Sequence, residues 1–298
     1  MPSPSAVFEY LSEGITAGRF AELAALYAED TVVEHPQATP RPTRIVGRRA
    51  IDERFRGTLA GTLRLEAKNV VVHETTDPEV IVAEYDYVIT SPETGKSADA
   101  ANIQVLRIRD GLIVRSRDYH DYLRMAAVRD SLDDLRKAYE QSPPHVLSSP
   151  GERPPSAPAE SRQAAFENLV YGVSDGHWDD LPHLYAETTH VTHPFLPGSP
   201  VLGNRTDLST HFAAGKSGVV DIEARDLVTH QSTDPEVLIG EFTYEGRSGS
   251  SNPIRANNIF AMRVRDGLIV ESRDYGDHLS MAAATGRLPE LTARVTTD

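Results

Sequence analysis

One stretch of 21 residues occurs twice, and nothing else in the chain restricts its fold as strongly. Residues 107–127 read RIRDGLIVRSRDYHDYLRMAA and residues 263–283 read RVRDGLIVESRDYGDHLSMAA, with 16 of the 21 positions identical and no gap. Each copy holds Asp-Gly between two runs of alternating β-formers, the strongest short-range signal for a hairpin. Each then carries Arg-Asp-Tyr near the end of the second strand. A hairpin that closes each half predicts a duplicated domain whose last strand turns Asp118 or Asp274 into a pocket.

The rest of the chain follows the same duplication. Phe8, Leu11 and Ile15 fall at helical spacing and are closed by Gly18; Phe20, Leu23, Leu26 and Tyr27 mark a second short helix. Phe166, Leu169, Val173, Gly176, Trp178, Leu181, Leu184 and Tyr185 repeat this at an offset of 158. A strand is expected from Thr31 to His35 and from Thr189 to His193, ended by His-Pro in both copies. A Pro-rich loop and a third helix (roughly 47–60 and 203–215) come next. Four strands then follow. The first two meet at HETTDPEVIVAEY (73–85) or HQSTDPEVLIGEF (230–242), where Pro78 and Pro235 suit the second position of a turn. The third strand is expected over 98–109 and 254–265, the fourth over 112–124 and 268–280. The expected boundaries are a first copy over 1–127, a helix and Pro/Ser-rich linker over 128–158, a second copy over 159–284, and a tail over 285–298 with no counterpart to contact.

Helix, helix, strand and helix followed by four antiparallel strands is an α+β pattern, with helices on one face of a bent sheet. The element order, the His-Pro after the first strand and the repeated RxRDGxIxxxRDYxD resemble the SnoaL-like branch of the nuclear transport factor 2-like superfamily. That superfamily includes ketosteroid isomerases, polyketide cyclases, limonene-type epoxide hydrolases and the phenazine-biosynthesis A/B proteins. The resemblance covers nearly all of both halves. It implies two tandem cone-shaped domains, each three helices packed on a strongly curved, mostly antiparallel sheet. In the resembling family the concave face lines the pocket and the convex face packs on a second subunit. Two fused copies are therefore expected to form an intramolecular pseudo-dimer in a monomeric chain, with higher oligomers still compatible.

Composition removes several function classes. A formal net charge of −14, from 44 acidic against 30 basic residues, repels a phosphate backbone, so no nucleic-acid partner is expected. The absence of cysteine excludes disulfides, thiolate nucleophiles and Cys-ligated zinc. No apolar run approaches the ~20 residues that span a bilayer, and MPSPSAVFEYLSEG lacks the basic and apolar regions of a signal peptide. No membrane partner and a cytoplasmic location are expected, which makes the sequon at Asn204 a chance match. There is no phosphate loop, dinucleotide fingerprint or Gly-x-Ser-x-Gly elbow, so no cofactor is expected. No metal site is assigned either: His190 and His193 point to opposite faces of a strand, and Val32 replaces His190 in the first copy.

The candidate catalytic residues are Asp118, Asp274, His35, His193 and Asp86. An aspartate in an apolar pocket has its pKa raised by desolvation into the range useful for acid–base work; the alternative is an ion pair with Arg107 or Arg117 that holds the hairpin. The resemblance maps both aspartates onto a position used for catalysis in epoxide hydrolases and phenazine proteins. His35 and His193 could pass a proton to substrate, or be fixed by a backbone hydrogen bond. Glu84 and Asp86 share one face of their strand, with Glu241 and Thr243 as counterparts. The resembling epoxide hydrolases hold Arg-x-Asp there, and Glu84 in place of the Arg removes the guanidinium that would keep several carboxylates ionised together. Glu84, Glu241, Asn102, Asn258, Tyr27 and Tyr185 are the candidate substrate-binding residues. The expected function is a cofactor-independent isomerase or cyclase acting on a small apolar oxygenated metabolite in secondary metabolism; the alternatives are an epoxide hydrolase or epoxide-opening cyclase, and a non-catalytic small-molecule-binding or interaction module. One competent pocket is expected, in the first copy, because that copy has the extra acid Asp86.

Overall fold

Each half opens with a capped helix. Ser3 accepts a hydrogen bond from the Ala6 N–H (3.2 Å) and Pro4 occupies the first turn, where its missing N–H costs nothing. Ser161 does the same for Ala164 (3.0 Å). In a computed structural model describing residues 1–59, 61–142, 153, 156–216, 219–249 and 252–296, the chain divides into two units, Met1–Ala138 and Tyr139–Arg294.

In the first unit α1 (Pro4–Thr16) and α2 (Phe20–Leu23) lead into β1 (Tyr27–His35), β2 (Thr43–Val46), α3 (Arg48–Arg54), β3 (Arg64–Glu74), β4 (Val80–Thr90), β5 (Ser97–Arg109) and β6 (Leu112–His120), then α4 (Tyr122–Val128) and α5 (Leu132–Gln141). The second unit repeats this with α6 (Arg162–Ser174), β7 (Tyr185–Thr192), β8 (Leu202–Asn204), α7 (Arg205–Lys216), β9 (Val219–Gln231), β10 (Val237–Ser248), β11 (Pro253–Arg265) and β12 (Leu268–Tyr275), then α8 (His278–Ala284) and α9 (Leu288–Thr292). The sheet orders are β2-β1-β6-β5-β4-β3 and β8-β7-β12-β11-β10-β9. The first strand lies parallel to the last in each sheet, and the other pairings are antiparallel. The architecture is α+β, two cones in tandem. The Asp-Gly hairpins form as expected: Asp110 and Gly111 have φ of 52° and 77°, Asp266 and Gly267 51° and 75°, the left-handed pair of a type I′ turn.

Several boundaries differ from expectation. β1 and β7 begin at Tyr27 and Tyr185, ahead of Thr31 and Thr189, because a single 3-10 turn ends the preceding helix and the tyrosines already pair with the last strand. The Pro-rich loops contain the short edge strands β2 and β8. The last strand stops at His120 or Tyr275, short of 124 and 280. There Asp121 and Asp277 cap α4 and α8, accepting from the Arg124 N–H (2.9 Å) and the Ser280 N–H (3.0 Å). The tail beyond Ala284 does have contacts: α9 buries Leu288, Leu291 and Thr292, and it is the counterpart of α5. Much of the expected Pro/Ser-rich linker lies outside the described residues. Among those residues no helix is long and apolar enough to cross a membrane.

The cores sit between the first helix and the inner face of the sheet. Phe8 meets Tyr85 at 5.6 Å between ring centroids, and Phe166 meets Phe242 at 5.8 Å. The units differ at one packing point. Where β4 has Ala83, β10 has Gly240, and a Cβ there would lie 2.2 Å from the Phe166 ring. Gly240→Ala is expected to destabilise the second unit by about 1–3 kcal/mol through overpacking, read as a lowered denaturant midpoint; an unchanged midpoint would show that Phe166 can move aside.

Candidate functional site

Strand pairing fixes which residues share the inner face. Asp118 on β6 pairs with Gln104 on β5, which pairs with Ala83 on β4, and Ala83 belongs to the core. In the second unit Asp274 pairs with Phe260 and Phe260 with Gly240, the neighbour of Phe166. Both aspartates therefore point inward; they are 8% and 7% exposed. Their burial is what gives the carboxyl groups unusual chemistry.

In the first unit the surroundings are polar. Asp118 Oδ1 accepts from Gln104 Nε2 (2.9 Å) and from Ser116 Oγ. Its Oδ2 lies 3.8 Å from His35 Nε2, and Arg54 Nη2 lies 3.4 Å from that same nitrogen. His120 Nδ1 is 2.7 Å from Asn102 Oδ1. Burial raises the Asp118 pKa, while His120, the Ser116 and Gln104 donors and the Arg54 charge pull it back. Burial and the Arg54 charge hold His35 down to about 3, so it is neutral near pH 7 and forms no ion pair with Asp118.

In the second unit the same acid faces an apolar space. A cavity of about 490 Å³ is lined by Leu169, Val191, Leu208, Phe212, Phe260 and Leu291 among others, with Asp274, His193, His211 and His278 on its wall. That size is within the range of small-molecule pockets. Ser272 Oγ donates to Asp274 Oδ1, but Phe260 stands where Gln104 donates in the first unit, and His211 where Arg54 stands. Burial, opposed by the Ser272 hydrogen bond and the Arg273 charge, pushes the Asp274 carboxyl up to about 7. His193 Nε2 sits 4.0 Å from Asp274 Oδ2, its ring 4.7 Å from that of His211. Desolvation lowers His193 to about 3 and His278 to about 4. At neutral pH the transferable proton is on the carboxyl, not on imidazole. His278 Nε2 is buried with no hydrogen-bond partner.

The structure brings together Asp118 with His35 and Asp274 with His193. Tyr185 lines the cavity, and Tyr27 is buried close enough to Asp118 for that carboxylate to raise its pKa. Asn102 and Asn258 face inward but are engaged by the fold. Their Nδ2 groups donate to Ala100 O (2.8 Å) and Ala256 O (2.9 Å), and Asn258 Oδ1 accepts from the Asp277 N–H (3.0 Å). Glu84, Asp86 and Glu241 are not with the aspartates. Glu84 pairs with Ile103 and Ile103 with Tyr119, the register of the opposite face, and Glu241 does likewise through Ile259 and Tyr275. Glu84 and Glu241 instead lie 2.7 and 2.9 Å from His73 and His230, while Asn69 donates to Asp86 (2.8 Å). The expectation that these acids serve the pocket is corrected: both faces of the sheet are covered, so alternation paired the residues without telling inside from outside. Sequence reading did not assign Arg54, His211, Gln104 or His278 to the site. The first two come from the second turn of their helices, where they carry no periodic signal for a pocket.

Comparison with known proteins finds a domain match in the first unit. The SnoaL-like domain profile matches residues 7–116, stopping just before Asp118. No curated protein gives a significant match. Among solved structures, a Bacillus subtilis protein named as a candidate isomerase is 25% identical with a TM-score of 0.41, over 43% of this chain and 93% of its own. The Δ5-3-ketosteroid isomerase of a Mycobacterium species is 26% identical with a TM-score of 0.34, over 40% of this chain and 93% of its own. A Mycobacterium tuberculosis protein crystallised with estradiol-17beta-hemisuccinate is 20% identical with a TM-score of 0.34, over 39% and 93%. The first unit carries a SnoaL-like domain, and the second repeats its element order, its sheet order and its buried acid.

Proposed function

We propose that the second unit is a cofactor-independent acid–base site of the isomerase or cyclase type for a small, largely apolar metabolite bearing a carbonyl or hydroxyl oxygen. One observation carries this reading: a carboxyl group with a pKa of about 7 on the wall of an apolar cavity of about 490 Å³. Such a group divides its time between acid and base at neutral pH, the condition under which proton transfer is most effective. Asp274 would take a proton from carbon beside the substrate carbonyl and return it elsewhere on the same skeleton. His278 Nε2, buried and unpartnered, would meet the substrate oxygen as charge develops on it. His193 and His211, neutral, would shape the polar corner of the site. The first copy, favoured in the sequence for Asp86, loses that advantage because Asp86 lies on the other face of the sheet.

The test is hydrogen exchange from heavy water into a panel of cyclic enones and hydroxy-ketones, followed by NMR. Exchange catalysed by the full chain, with a rate that changes across pH 7, is the expected result. Tight binding without exchange of any ligand would assign the cavity to a carrier instead.

A further inference from the structure

The first unit holds a second, chemically different constellation. His35 from β1, Asp118 from β6 and His120 at the end of β6 each present a ligand atom, and these three atoms lie within 4.8 Å of one another. We infer that this is a binding site for a divalent first-row transition ion, held by two imidazoles and one carboxylate. It is independent of the proposed acid–base role of the second unit.

The partners behind the ligands support this. Asn102 Nδ2 donates to the Ala100 carbonyl, which fixes the amide so that Oδ1 faces His120 Nδ1 and accepts its N–H. His120 Nε2 is thereby left with a free lone pair. Gln104 and Ser116 both bind Oδ1 of Asp118, and Oδ2 is turned toward His35. Outer partners that hold the far atom of each ligand are the usual support of a metal site. His35 is the exception: its buried Nδ1 has no partner, so its ring is the one free to adjust. Adjustment is needed, since an ion at about 2.1 Å from each atom wants its ligands roughly 3.4 Å apart. Two histidines and one carboxylate with positions left open suit Zn²⁺, Fe²⁺ or Co²⁺, and the absence of thiolate excludes a sulfur-rich centre.

Arg54 opposes the ion, with Nη2 3.4 Å from His35 Nε2. Binding therefore requires the guanidinium to swing away, a movement that a half-exposed arginine at the end of α3 can make. The second unit has lost the set, because Gly276 replaces His120 and Phe260 replaces Gln104.

The experiment uses the full chain stripped with a chelator and titrated with Co²⁺, whose visible spectrum reports nitrogen ligation, with Zn²⁺ in competition. One equivalent per chain is expected. His120→Gly, which copies the second unit, should abolish that equivalent, and Asn102→Ala should weaken it about 10–100-fold. Arg54→Gln should strengthen it. Replacing the exposed His177 and His183 with Gln should leave it unchanged, as should Asp274→Asn. Absence of binding to the wild-type chain, or undiminished binding by His120→Gly, overturns the assignment, as does loss of the equivalent on replacing His177 and His183.

Discussion

Asp274→Asn is expected to lose 10²–10⁴-fold in turnover, the usual worth of a positioned general acid or base, and yet to be more stable than the wild type at pH 8. The second effect follows from linkage. The folded carboxyl has a pKa of about 7 against an ordinary value of 3.8, so the folded state binds the proton more tightly than the unfolded state. Below about pH 4 both states carry the proton and the group has no effect. As pH rises from 4 to 7 the unfolded chain releases its proton first and stability falls, reaching its full loss above pH 7. A shift of about three units corresponds to about 4 kcal/mol. Asparagine cannot ionise, keeps the shape and can still meet Ser272. Its denaturation midpoint should match the wild type at pH 4 and exceed it at pH 8. Retained activity would remove Asp274 from the chemistry; equal midpoints at pH 8 would mean that the carboxylate is already solvated in the fold.

The equivalent change at Asp118 is expected to leave the second unit's reaction intact. That inequality is the clearest consequence of two copies that have drifted apart, and the sequence contained it only in part. The hairpin repeat announced two domains, and Asp-Gly with alternating β-formers placed Asp118 and Asp274 on an inward strand face. Both inferences rest on local periodicity, which a single chain displays openly. The face of Glu84 and Asp86 was not legible. Val80 and Val82 on one side of β4 are as buried as Ile81 and Ala83 on the other, so a two-residue period carries no information about which side is the pocket. The end of the last strand was misplaced because Asp121 and Asp277 act as helix caps, a role that the run of β-formers before them does not announce. Arg54 and His211 reach the site across the cone from a helix, and His35, Asp118 and His120 converge from two strands. Such meetings depend on how a parallel first strand returns beside the last, a long-range pairing with no local signature.

Phe260→Gln would transplant the first unit's hydrogen-bond donor into the second. Phe260 pairs with Asp274 across β11 and β12 as Gln104 pairs with Asp118 across β5 and β6. A glutamine there should donate to the Asp274 carboxylate as Gln104 Nε2 does to Asp118 at 2.9 Å. A hydrogen bond to a charged group contributes about 1.5–3 kcal/mol, equivalent to about 1–2 pH units. The carboxyl should therefore fall from about 7 toward 5–6. At pH 7 the variant would hold less of its acid form, and the limb of the rate profile governed by Asp274 would move down by the same 1–2 units. Loss of an aromatic wall from the cavity should raise KM for apolar substrates as well. The two effects separate experimentally: the limb reports the hydrogen bond, and KM reports the wall. A weaker substrate affinity with the limb still near pH 7 would show that the missing donor is not what sets the proton affinity of Asp274, leaving burial and the replacement of Arg54 by His211 as the cause.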